Sequence, residues 1–141
     1  TDRIKDLFKT SGGKYIAPQQ IEMLFKEDIY FEQTAAIGDG RKFVSALIVP
    51  AFEQLEKWAK NNNISFSSRE DLVKHPEVIK FYRERIDYLT RDLGQVEKIK
   101  KFTLLPHEFT QESGEMTPTQ KIRRKVINEH YKDIIEAMYA E

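Results

Sequence analysis

The sequence predicts an α+β domain, and three observations carry that prediction. Two glycine-centred turns each separate short β-prone runs. One run, Val44–Val49, is almost wholly apolar. Three later stretches repeat apolar residues at the helical period.

"DLFKTSGGKYIAP" opens the order with a strand, a Gly12-Gly13 turn and a second strand, since paired glycines accept the positive φ of a tight hairpin. Pro18 suits the first turn of a helix whose apolar face is Ile21, Leu24 and Phe25. Ile29–Ile37 and Phe43–Val49 flank Gly38-Asp39-Gly40, the clearest hairpin in the chain. The apolar run marks a central strand, ended by Pro50. A helix follows with Phe52, Leu55, Trp58 and Ala59 inward, closed by Asn61-Asn62-Asn63. Ser67 with Glu70 resembles a capping box, and Glu70-Asp71 read as helix-start charges. Pro76 restarts a longer helix in which Val78, Ile79, Tyr82, Ile86, Leu89 and Leu93 follow the 3.6 period, and Gly94 suits its end. "KFTLLP" is a further strand. Ile122, Val126, Ile127, Tyr131, Ile134, Ile135 and Met138 predict one final amphipathic helix.

The bulk numbers bound the function. With 141 residues the chain is long enough for one compact domain. It holds 23 Lys+Arg against 23 Asp+Glu, so no global field draws it to nucleic acid or an anionic membrane. It has no cysteine, which excludes disulfides, thiolate metal sites and a Cys nucleophile, and fits a reducing, cytoplasmic setting. No apolar run approaches the roughly 20 residues of a spanning helix, and "TDRIKDLFK" lacks a signal-peptide core. The chain starts without Met on a charged segment, as a piece of a longer protein would.

Local motifs favour ordinary roles. "TSGGK" lacks the G-x-x-x-x-G-K-[ST] phosphate loop and reads as a hairpin turn. His75, His107 and His130 lie far apart with no ligand spacing, so no metal site is expected, and surface or helix-cap roles are the default. No Ser or Thr has triad context. Lys121, Arg123, Arg124 and Lys125 form a basic run, but their helix also carries Glu129, Asp133 and Glu136. A solvated face explains that run better than a nucleic-acid contact. Lys121 alone reads as a solvent-facing lysine. A Pro-fixed loop at a helix start would nevertheless let it stabilise charge growing on a carboxylate or phosphate from a partner site.

Two stretches together change this. "DRIKDLFKTSGGKYIAPQQIE" resembles the hinge motif of the AMP-forming acyl-CoA synthetases, the adenylate-forming superfamily, and "MTPTQKIRRKVI" resembles its closing lysine motif. "AAIGDGRKFVSALIVPAFEQLEKWA" and the long insert between Asn61 and Lys100 resemble the long-chain fatty acid branch. The resemblance implies the small C-terminal domain of such an enzyme over residues 1–141. It also implies an N-terminal β-hairpin and a small, mostly antiparallel central sheet flanked by helices. The N-terminal nucleotide- and acyl-binding domain would be the partner. The implied substrates are a fatty acid, ATP, with Mg2+ held mainly by that other domain, and CoA.

Residue roles follow from the same resemblance. Arg3 matches the arginine that contacts the nucleotide ribose, and Lys5 the hinge position. Lys121 matches the lysine bridging carboxylate and phosphate in adenylation. Lys9 faces the site in the thioester half. Gly12, Gly13 and Lys14 match the turn lining the pantetheine tunnel, where backbone without Cβ admits a thin arm. Thr119-Gln120 replaces the Ser-Gly of many relatives, and two glycines stand in the turn where many have one. The resemblance admits peripheral membrane association of the full enzyme. Two alternatives stand beside it: another adenylate-forming carboxylate activator, and a free-standing interaction domain without catalysis.

Overall fold

A computed structural model describes residues 7–38, 40–94, 98–118 and 122–139. β1 (Phe8–Lys9) and β2 (Tyr15–Ile16) form a small antiparallel hairpin with Lys9 opposite Tyr15. α1 (Pro18–Lys26) starts on its proline and buries Pro18, Ile21 and Phe25. β3 (Phe31–Ile37) and β4 (Val44–Pro50) form the long hairpin, antiparallel from Phe31↔Pro50 to Ile37↔Ser45. α2 (Phe52–Asn61), α3 (Arg69–Lys74) and α4 (Pro76–Leu89) follow, then β5 (Ile99–Leu104), α5 (Arg124–His130) and α6 (Lys132–Tyr139).

The sheet order is β3-β4-β5. β4 is the central strand and all seven of its residues are buried, as its apolar run predicts for a strand covered on both faces. β5 pairs parallel to β4, so the sheet is mixed. Three helices lie between those strands, and such a crossover returns the chain in the same direction. The core runs from Ile16 and Ile21 through Leu47, Ile48, Leu55 and Tyr82 to Ile127 and Ile135. Each fully buried branched or aromatic side chain there is worth about 1.5–3 kcal/mol of transfer free energy.

Three local expectations are corrected. The cap of α3 is Ser68, whose Oγ accepts from Asp71 N at 3.1 Å, and Ser67 instead donates its Oγ–H to Asp71 Oδ2 at 3.0 Å. The capping pattern therefore sits one residue later than Ser67–Glu70. α4 stops at Leu89, not Gly94. Buried Thr90 turns its hydroxyl onto the Ile86 carbonyl at 2.7 Å, competing with the next helical bond. The final helix divides at Tyr131 (φ −109°, ψ 22°) into α5 and α6. The histidine reading holds at His75, which caps α4 by accepting from Glu77 N.

Candidate functional site

The hairpin turn is built by Thr10. Its N–H donates to Lys14 O at 2.9 Å, Gly13 N donates back to Thr10 O at 2.9 Å, and Lys14 N donates to Thr10 Oγ1 at 3.3 Å. Gly13 sits at φ +86°, which a residue with Cβ adopts only under strain, whereas Gly12 lies outside that region. A Cβ at Gly12 would meet nothing nearer than Thr10 Oγ1 at 3.9 Å. The two glycines therefore have different reasons. Gly13 makes the turn, and Gly12 leaves its outer surface bare. Ser11 to Tyr15 are all exposed, and Lys9 Nζ lies 5.6 Å from the Tyr15 ring centroid. Lys9, Gly12, Gly13 and Lys14 thus share one exposed hairpin.

That hairpin is bolted to the turn between β3 and β4. Gly40 N donates to Lys9 O at 2.8 Å, and Ser11 N to Arg41 O at 2.9 Å. Arg41 pairs with Glu136 of α6, which raises the arginine pKa and lowers that of the carboxyl, and lies 5.0 Å from the Tyr139 ring centroid. Tyr139 donates its hydroxyl to Phe43 O at 2.7 Å and accepts from Ser45 Oγ at 2.9 Å, while burial holds its pKa above the usual phenol value.

The second segment is the closing motif. Met116 and Ile122 form an antiparallel bridge, and Arg123 N donates to Glu115 O at 2.7 Å. These contacts close the base of the segment that carries Lys121. Gly114, at φ +82°, turns the chain into it. Glu115 is buried, with Oε2 2.9 Å from His130 Nδ1 and Oε1 accepting from Ser113 Oγ at 2.8 Å. Burial first, then Glu115, pushes the Tyr131 phenol up to about 12.

Arg124 departs from the solvated-face reading of the basic run. Its guanidinium turns inward, donating to Glu22 Oε2 at 2.6 Å, Glu22 Oε1 at 3.3 Å and Ala36 O at 2.8 Å. Glu22 Oε2 also accepts from Ala36 N at 2.8 Å. One ion pair, with side chains 18% and 11% exposed, thus joins α1, β3 and α5. Arg123 and Lys125 are exposed, as expected. Sequence reasoning gave Arg124 and His130 only solvated or surface roles and did not single out Glu22 or Glu115. Glu22 closes the quoted hinge stretch and Arg124 lies inside the lysine stretch, so the motifs held both partners without showing their pairing.

Arg3, Lys5, Asp39, Thr119, Gln120 and Lys121 lie outside the described residues. Among the described residues no cluster of His, Cys, Asp or Glu is arranged to hold a metal ion, and no helix is long and apolar enough to cross a membrane.

Comparison with known proteins agrees with this architecture. The chain is 34% identical over 140 residues to the long-chain-fatty-acid–CoA ligase FadD15 of Mycobacterium tuberculosis, covering 99% of this chain and 23% of that protein. It is 32% identical over 142 residues to long-chain-fatty-acid–CoA ligase 1 of Homo sapiens, covering 99% of this chain and 20% of that protein. The chain spans about a fifth of the length of these curated relatives. Among solved structures, the adenylation domain of a carboxylate reductase from Mycobacterium chelonae superposes with a TM-score of 0.76 at 25% identity, over 99% of this chain and 20% of that one. A fatty acyl CoA synthetase of Mycobacterium tuberculosis superposes with a TM-score of 0.56 at 18% identity, over 94% of this chain and 20% of that one. The family model for the AMP-binding enzyme C-terminal domain matches residues 5–141, hairpin, sheet and closing segment together, and the chain belongs to that family.

Proposed function

We propose that this chain is the mobile C-terminal domain of a long-chain fatty acid–CoA ligase, which converts ATP, fatty acid and CoA to acyl-CoA, AMP and pyrophosphate. The observation that carries this reading is similarity to long-chain ligases along 99% of the chain. The partner is an N-terminal domain of the same protein that holds most of the nucleotide, Mg2+ and acyl sites, and the setting is cytoplasmic.

In the first half-reaction the fatty acid carboxylate attacks the α-phosphorus of ATP, an acyl-adenylate forms and pyrophosphate leaves. Negative charge gathers between two anions. Lys121 bridges carboxylate and phosphate oxygens, and a fixed ammonium in a closed, water-poor site stabilises that charge far more than solvent would. Arg3 holds the ribose. The domain then turns about Lys5, a gating step made by few backbone torsions. The exposed hairpin now meets the adenylate. Gly12, Gly13 and Lys14 line the approach of the pantetheine arm, Lys9 faces the site, and the CoA thiol displaces AMP. The separation of the hairpin turn from the closing segment along the chain supports a division of labour between two faces.

The test is an acyl-CoA ligase assay on the full-length enzyme with palmitate, ATP and CoA, comparing wild type with Lys121→Ala. Adenylation should fall by about 100-fold or more, while thioester formation from preformed acyl-adenylate survives. Equal loss in both halves would refute the role given to Lys121, and absence of ligase activity in the wild type would refute the long-chain reading. The likeness to a carboxylate reductase adenylation domain favours a second reading, the C-terminal domain of another adenylate-forming carboxylate activator. Palmitate-dependent pyrophosphate exchange without acyl-CoA product would select it.

A further inference from the structure

We propose that Arg41, held by Glu136, is a positioning residue that fixes the exposed hairpin turn for the thioester half-reaction. The proposal rests on the role given to that hairpin above. Arg41 works from both backbone and side chain. Its carbonyl accepts from Ser11 N at 2.9 Å, and its N–H donates to Gly38 O at 2.9 Å, just past the end of β3. Gly40 beside it donates to Lys9 O at 2.8 Å. These two bonds to the hairpin flank Thr10, whose pairing with Lys14 makes the turn. The Arg41 guanidinium pairs with Glu136 and lies 5.0 Å from the Tyr139 ring centroid. Glu136 and Tyr139 stand three residues apart in α6, on one face of that helix. Tyr139 is itself tied to the start of β4, donating to Phe43 O at 2.7 Å and accepting from Ser45 Oγ at 2.9 Å.

The hairpin has little to hold it in place by itself. β1 and β2 pair at two positions, Phe8↔Ile16 and Lys9↔Tyr15. So small a ribbon takes its place from what it leans on. Arg41 joins it to α6, a helix that contributes nothing to the turn itself. The Arg41 and Glu136 side chains are 31% and 51% exposed, so the pair adds little to global stability. Its effect falls on where the hairpin stands, and an error of about 1 Å in a positioned group costs on the order of 100-fold in the step it serves. Two rival roles make different forecasts. An ordinary surface bridge would alter neither half-reaction. An arginine that touched the phosphates of CoA directly would be held back by Glu136, and removing that carboxylate would then help CoA rather than hinder it.

The experiment uses the full-length enzyme with palmitate. It measures adenylation by pyrophosphate exchange, and thioester formation from preformed palmitoyl-adenylate and CoA. The variants are Arg41→Gln, Glu136→Gln, the double variant, Arg41→Lys and Gly12→Val. The expected result is a loss on the order of 10-fold in kcat/KM for CoA in both Arg41→Gln and Glu136→Gln, with adenylation within about twofold of wild type. Arg41→Lys keeps a cation for Glu136 and should restore part of the rate. The double variant should be no slower than Arg41→Gln alone, because the two side chains form one bracket.

Unchanged thioester formation in both single variants overturns the proposal, as does an equal loss in both half-reactions. It is also overturned if Glu136→Gln is as fast as wild type or faster while Arg41→Gln is slow, which selects direct contact with CoA. A double variant whose loss is the product of the two single losses shows independent roles and overturns it too. If Arg41→Gln does not fold, the half-exposed Glu136 variant decides by the same criteria. Gly12→Val tests the reading beneath the proposal. If it leaves thioester formation intact, the hairpin does not border the pantetheine arm and the positioning role falls with that reading, a result distinct from the others.

Discussion

Gly12 and Gly13 look equivalent in sequence and are not. Gly13 carries a left-handed φ of +86° and Gly12 does not. Gly13→Ala should cost about 1–2 kcal/mol of stability through backbone strain. Gly12→Ala, whose Cβ would make only an ordinary contact with Thr10 Oγ1, should be neutral or stabilise by about 0.4–1 kcal/mol through the unfolded chain. If the turn borders the pantetheine arm, Gly12→Ala should instead raise the KM for CoA. Urea unfolding and CoA titrations of the two variants separate these effects, and equal destabilisation by both would contradict the assignment. Two glycines in a row announce a turn. Which one bends requires the Thr10–Lys14 pairing around them.

At the scale of elements, most starts and stops were legible because their causes are local. Pro18 and Pro76 begin helices, paired glycines mark the first hairpin, and an apolar run marks β4. The misses have equally local competitors. Ser67 and Ser68 offer the same hydroxyl to the same helix, and backbone extension at Ser68 (φ −155°, ψ 169°) decides between them. Ser68→Ala should destabilise by about 1 kcal/mol, and Ser67→Ala by clearly less, as read from urea midpoints; the reverse order would restore the Ser67 cap. The break at Tyr131 has no Gly or Pro to announce it. Tyr131 packs edge-on against Phe109 and faces Glu115, so a contact from the loop before α5 decides the division.

For the molecule as a whole, the decisive contacts cross long stretches of sequence. Arg124 and Glu22 stand 102 positions apart and together hold α1, β3 and α5. Arg124→Met leaves the Glu22 carboxylate without its cation in a largely buried place, and should cost about 3–5 kcal/mol. Thermal unfolding of the isolated domain would show it, and a change under about 1 kcal/mol would mark the pair as an ordinary surface bridge. Alkaline pH gives a second global test. Burial raises the phenol pKa values of Tyr82, Tyr131 and Tyr139 above their unfolded value near 10. The unfolded chain therefore loses those protons first. Stability should be full below pH about 10 and fall as pH rises toward about 12, the value reached by Tyr131. Tyr131→Phe should flatten the fall between those values; a slope identical to wild type would show that Tyr131 does not contribute.

By itself the sequence determined the α+β class, the order of elements, the central place of β4 and the stretches that resemble the family's motifs. Each of these rests on neighbours in the chain: a glycine pair, a proline, an apolar period, a contiguous motif. Only the tertiary structure decided that β5 runs parallel to β4, that Arg124 leaves a basic run to meet Glu22, and that Glu115 and His130 meet. Pairing of this kind depends on which groups folding brings within about 3 Å in a place poor in water, where an unpaired charge is too costly to leave. Residue identity supplies the charge, and the packing of distant elements supplies its partner.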